Sequence, residues 1–275
     1  ARIPYRVPAP EELPDRVAGV LRVVYLVFTE GHEASAGETL DRPDLCAEAL
    51  RLARLLAELL PDDAEVRGLL ALLLLTDARR AARTDAAGRY VALSDQDRGR
   101  WDAQEIAEGR AALDAALRLR RAGPYQLQAA IAALHDEAAS WEATDWRQIA
   151  ALYGQLARLE PSPVVEVNRA VAVGYARGPA AGLAVLEAAA ADPRVARYQP
   201  LHAARADLLR RAGRPAAARD AYAQAIALTR NAVERDELRS RRARLPATDC
   251  RPGRPEADEL DDRRPLGDRT AGEHP

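Results

Sequence analysis

The chain has 275 residues, a net charge of −2 and no lysine, so all 40 basic groups are arginine. Hydrophobic residues make up 48% and aromatics 4%, with one Phe, which leaves a core of Ala, Leu and Val and favours close-packed helices over sheets. The balanced charge lacks the basic excess of a free-standing nucleic-acid binder, and the longest apolar run, "GLLALLLLT" at 68–76, is about half the ~20 residues a membrane span needs.

The segment from Arg251 to Pro275 holds five Arg and seven Asp or Glu, which accounts for the whole imbalance. Cys46 and Cys250 lie far apart, so no disulfide is expected and a reducing, cytoplasmic setting fits. No signal peptide is visible. The chain contains no methionine and starts at Ala1, as a fragment would.

Residues 1–12 carry three prolines, at 4, 8 and 10, and read as a linker. An N-terminal helical domain is expected over 13–140. Its first helix, from Leu13 to Glu30, places Val17, Val20, Leu21, Val24, Tyr25 and Phe28 on one face, with Gly31 as the stop. Asp41 or Asp44 caps the second, which Pro61 ends. A third begins at Asp63 and is apolar nearly all round, which makes it central. "RTDAAGRYVAL" interrupts the helices with a turn at Asp85–Gly88 and predicts one tiny β-hairpin near 82–93.

Helices resume at Ser94 and at Pro124. Residues 141–245 then give helices punctuated by Pro161, Pro163, Gly178-Pro179, Pro193 and Gly213. Leu152, Leu186 and Tyr222 fall 34 and 36 residues apart, a tetratricopeptide-like period. The expected fold is therefore all-α, with antiparallel helix pairs stacked as a tetratricopeptide-like right-handed solenoid. Ala170, Ala172, Ala204 and Ala218 are expected at close helix contacts. Residues 246–275 are Pro- and charge-rich and read as a disordered tail.

Two polar-aromatic clusters stand out. "LSDQDRGRWD" at 93–102 has the residues of a capping-box start, with Ser94 accepting from the Asp97 amide. Asp95 and Asp97 complement the helix dipole, and Arg98–Asp102 and Asp97–Trp101 are four apart. As paired catalytic carboxylates, Asp95 and Asp97 would point about 200° apart around a helix, a poor arrangement for sharing a substrate. Ser94, Asp97, Arg98, Trp101 and Asp102 are therefore read as a structural clamp. The second cluster joins His135 and Asp136 to Trp141, Asp145 and Trp146. Trp146 opens a helix that Thr144 or Asp145 caps, so a core role is favoured here too.

"EGHE" at 30–33 gathers Glu30, His32 and Glu33, but Gly31 breaks the helix that would orient them, and no metal-binding spacing occurs. No nucleophile elbow, Walker loop or dinucleotide-binding glycine motif is present. No cofactor is expected. Because helical repeats bind peptides on their concave faces, Trp141, Trp146, Asn168, Arg169, His202 and Arg205 are candidates for an interaction surface.

Seven blocks in order, "IPYRVPAPEELPDRVAGVLRVVYLVFTEGHEAS", "EVRGLLALLLLTDARRAAR", "LSDQDRGRWD", "GPYQLQAAIAALH", "TDWRQIAALYGQL", "PSPVVEVNRAVAV" and "HAARADLLRR", closely resemble the long C-terminal extension of one group of extracytoplasmic-function RNA polymerase sigma factors, over residues 3–245. The resemblance implies a bacterial regulator of transcription initiation. It implies a tetratricopeptide-like domain that contacts its own sigma regions and RNA polymerase, with a YCII-related protein as a further partner. The two sigma regions are missing from this chain, so it carries no promoter-reading helix, and no nucleic-acid or membrane binding is expected of it. The alternative reading is an enzyme or small-ligand-binding domain built on Asp97 with Trp101 or on His135 with Trp146.

Overall fold

The computed structural model describes residues 9–246. The expected tail from 247 onward, Cys250 included, and residues 1–8 of the expected linker lie outside the described residues. Eleven α-helices and several single 3-10 turns make up the described chain, which is all-α.

Helices α1 (Leu13–His32), α2 (Pro43–Leu59) and α3 (Ala64–Asp77) form the first layer. Leu21, Val24 and Phe28 of α1 recur at three and four and pack with Cys46, Ala49 and Leu50 of α2 and with Val66, Leu69 and Leu73 of α3. Val20, assigned to this face by periodicity, instead points outward and is 46% exposed. Gly31 is not a stop but sits inside the last turn of α1. A Cβ there would lie 2.8 Å from the Cys46 amide nitrogen and 2.9 Å from its Sγ, so glycine permits α1 and α2 to close. Pro43, rather than an aspartate cap, opens α2.

Asp63 caps α3 by accepting from the Glu65 and Val66 amides. This helix is buried on nearly every side and packs on α1, α2, α4 (Ala103–Arg118) and α5 (Pro124–Glu137). The Glu65 carboxylate reaches from α3 to cap α5, accepting from the Tyr125 amide at 2.9 Å and the Gln126 amide at 3.3 Å.

Between α3 and α4 the expected hairpin narrows to one antiparallel bridge, Thr84 to Tyr90. Its turn is held by the Asp85 carboxylate, which accepts from the Ala87 and Arg89 amides at 2.9 Å each, with Gly88 at a φ of 73°. With so much of the turn's hydrogen bonding met by one side chain, only a short ladder forms. No strand occurs among the described residues.

The second half stacks α6 (Trp146–Leu159), α7 (Pro163–Arg177), α8 (Pro179–Ala190), α9 (Gln199–Arg211), α10 (Pro215–Leu228) and α11 (Ala232–Ala243), each against the next. Proline in the first turn starts α7 to α10, and Gly178 and Gly213, at φ of 94° and 70°, reverse the chain. Ala170, Ala172 and Ala218 are fully buried, whereas Ala204 is half-buried and Ala206 takes the inner place. Helices α7 and α8 approach backbone to backbone, since a Cβ on Gly182 would meet the Ala170 carbonyl oxygen and the Gly174 Cα at 2.7 Å.

The stack does not end free. Asn231, buried at the start of α11, donates through Nδ2 to the carbonyls of Ala34 at 3.1 Å and Thr39 at 2.8 Å, in the loop after α1. Its Oδ1 accepts from the Val233 and Glu234 amides and so caps α11. The Ala232 amide donates to the Gly37 carbonyl at 3.0 Å, forming a parallel bridge between Gly37 and Asn231. One side chain thereby caps the last helix and ties it to the first domain.

Candidate interaction surface

The segment 93–102 is not a helix start at Ser94. Leu93–Asp95 and Arg98–Arg100 are two separate 3-10 turns, with extended backbone at Gln96 and Asp97 between them. Asp97 caps the second turn, accepting from the Gly99 amide at 2.9 Å. Asp102 caps α4, accepting from the Gln104 and Glu105 amides at 2.9 and 3.0 Å, and so is not paired with Arg98. The expected pairings at four-residue spacing fail because extended backbone at Trp101 breaks the helical period and turns its ring inward.

Trp101 is 8% exposed, and its Nε1 donates to the Gln96 side chain at 3.2 Å. The Arg98 guanidinium lies 4.4 Å from the centre of the Trp101 ring and donates to the His135 carbonyl at 2.5 Å. Arg100 donates to the carbonyls of Thr84, at 3.1 Å, and Ala81, while the Asp102 amide donates to the Ala78 carbonyl at 2.8 Å. Arg98, Arg100 and Asp102 thus join this segment to the end of α5, the bridge loop and the end of α3.

The second cluster is an aromatic stack. Trp146 and Tyr175 lie face to face at 4.4 Å, Trp141 meets both edge-on at 4.6 and 5.2 Å, and His135 closes the group against the two indoles. Arg211 caps Tyr175 at 3.7 Å. Asp145, not Thr144, caps α6 through the Gln148 amide. Beneath the stack, the Asp136 side chain is fully buried, 3.7 Å from Arg79 Nε. Burial pushes its carboxyl up to about 6 despite Arg79 and Arg98. Burial, reinforced by the same two arginines, drives His135 down to about 3, so its ring is neutral. His32 is half-buried and stacked on Phe28, its pKa lowered by desolvation of the ring and by Arg83, Arg79 and Arg80.

The six surface candidates fall in separate places. Arg205 bridges α9 to α8, donating to Glu187 at 3.0 and 2.9 Å. It lines a groove of about 310 Å³ with Leu183, Leu209, Arg214, Asp220 and Gln224. Asn168 is exposed on α7, where Arg169 pairs with Glu166 at 2.7 Å. His202, expected on the surface, is instead buried, with Nε2 3.0 Å from the carbonyl of Ala196 in the turn before α9. Trp141 and Trp146 are half-buried in the aromatic stack. Sequence reasoning missed Tyr175, Glu187 and Arg211, since pairing across helices leaves no trace in local spacing.

The described chain is thus an all-α protein in which a five-helix unit carries a stack of antiparallel helices. Residues 16–117 match the model of a family of unknown function (DUF6596). The chain is similar to an uncharacterized protein of Rhizobium meliloti (strain 1021), 48% identical over 239 residues, or 87% of this chain and 56% of that protein. It therefore spans little more than half the length of that relative. No solved structure matches the chain. No helix among the described residues is long and apolar enough to cross a membrane.

Proposed function

We propose that this chain is the regulatory, protein-binding extension of a bacterial extracytoplasmic-function sigma factor. In this reading it works in the cytoplasm during transcription initiation. It contacts the sigma regions of its own longer protein and RNA polymerase, and a YCII-related protein is a further partner. The observation that carries this reading is the groove across α8, α9 and α10, where Arg205, Glu187, Arg214, Asp220 and Gln224 surround Leu183 and Leu209. A short apolar floor ringed by charged groups of both signs suits a peptide or protein surface better than a small reacting molecule. The residues an enzyme would need are otherwise engaged. Asp97 accepts from a backbone amide, and His135 is held neutral among indole rings.

The test is capture of the purified sigma regions by this chain. Arg205→Ala combined with Arg214→Ala, both in the groove, should weaken capture by about tenfold or more, with far-UV helicity unchanged. Undiminished capture would remove the groove as the contact. Separately, the chain alone should not shift promoter DNA in a sequence-dependent manner, and a tight specific shift would overturn the reading.

A further inference from the structure

Helix α1 buries one face and leaves another uncovered. Val20, Val23 and Leu26 are 46%, 60% and 59% exposed, although a valine or leucine facing water gains nothing from burial. Just before them, and inside the helix, lies Gly19, where an added Cβ would meet nothing within 4 Å. A glycine at a helix interior weakens the helix relative to alanine, and no contact within the described fold requires one here.

These residues form an ordered seam. Arg16, Gly19, Val23, Leu26 and Glu30 follow one another at spacings of three and four, and with Val20 they occupy about 120° of the helix circumference. The seam is apolar in the middle, basic at its N-terminal end and acidic at its C-terminal end. Laid antiparallel against itself about Val23, it is self-complementary. Val23 faces Val23, Arg16 faces Glu30 of the second copy at both ends, and Leu26 sets against Val20 with Gly19 beside it. The missing Cβ of Gly19 then leaves room for the larger Leu26. Glu30 also accepts from the Ser35 amide at 3.4 Å, a long bond that leaves its carboxylate capacity for an arginine.

We infer that α1 is a two-fold dimer interface in which a second copy of this chain docks antiparallel through Gly19, Val20, Val23 and Leu26, held in register by Arg16–Glu30 pairs. The inference stands apart from the sigma-factor reading, since it rests on α1 alone. One helix pair offers contact near the lower end of specific interfaces, about 1,000 Å² in total, so the dimer is reversible and concentration-dependent. Isologous pairing of this kind closes on itself and does not build filaments.

The mass of the 275-residue chain, measured by sedimentation equilibrium over a concentration series, tests this. The wild type should pass from one chain mass to two as concentration rises. Val23→Glu and Gly19→Leu should each remain monomeric with wild-type far-UV helicity, because neither position is packed inside the fold. Arg16→Glu alone and Glu30→Arg alone should each weaken association by about tenfold or more. The double exchange, Arg16→Glu with Glu30→Arg, should restore it. A wild type that stays monomeric at every soluble concentration overturns the inference, as it would if another segment of a longer protein occupied this seam. Val23→Glu that still dimerises, or a double exchange that fails to restore association, overturns it equally.

Discussion

The guanidinium of Arg98 lies over the ring of Trp101, 4.4 Å from its centre, and at the same time donates to the carbonyl of His135. The contact fixes a loop against a helix 37 residues further along. Trp101→Ala should lower stability by about 3–5 kcal/mol, because the ring is buried and its removal leaves a cavity. Asp97→Asn, which disturbs only the cap of a 3-10 turn, should cost about 1 kcal/mol or less. Denaturant unfolding of the two variants checks the contrast. Equal, small losses would show that the segment does not hold the fold.

Asn231 fills two roles that substitution can separate. Asn231→Ala should lose both the α11 cap and the two bonds to the loop after α1, at about 2–3 kcal/mol. Asn231→Asp keeps the cap oxygen but has no donor for the Ala34 and Thr39 carbonyls. Hydrogen exchange should therefore show loss of protection at residues 33–42 in both variants, and fraying at the start of α11 in the alanine variant alone.

The same junction should respond to pH. Burial, a hydrogen bond to Glu33 and repulsion from it push Glu234 up to about 8 from an ordinary 4.5, and Arg83 offsets this only in part. Between those values the folded protein holds a proton that the unfolded chain has released. Stability must then fall as pH rises through that window. Glu234→Gln keeps the hydrogen bond and removes the titration. Above about pH 8 it should be more stable than the wild type by at least about 1 kcal/mol. Melting temperatures across the window decide the matter, since parallel curves for both proteins would exonerate the pair.

Glycines at two sites should behave oppositely. Gly182→Ala forces a methyl to 2.7 Å from the Ala170 carbonyl oxygen and the Gly174 backbone, and should cost about 1–3 kcal/mol. Gly154→Ala, inside α6 with nothing within 4 Å of the new atom, should stabilise by up to about 1 kcal/mol. Thermal unfolding of the two single variants shows whether the α7–α8 contact is as tight as described.

Much of the helical framework was legible because its signals are local. Proline in the first turn of α7 to α10, glycine at 178 and 213, and the apolar run of α3 each act within a few residues. The clamp was legible in composition but not in form. Ser94, Asp97 and Asp102 all suit a helix cap, and only the burial of Trp101 beneath Arg98 decides which of them serves. On α1 the apolar residues run nearly all round, so periodicity could not separate the covered face from the one that carries Val20 and Val23. His202 and Arg205 look alike as polar residues on one helix, yet the first is buried beside the Ala196 carbonyl and Glu187 meets the second. Asn231 reads as an ordinary cap, and its other partner lies 197 residues away.

That last contact also bears on how the chain acquires its structure. An open array of helix pairs can nucleate anywhere and melt inward from its ends. Here the loop after α1 gains its final hydrogen bonds only from Asn231, 197 and 192 residues further along the chain. Closing so long a span draws its entropy cost at the end of folding. With that contact made, the start of α11 and the loop after α1 cannot loosen independently. Unfolding should then resemble the single sharp transition of a globular domain more than the graded melting of a repeat array.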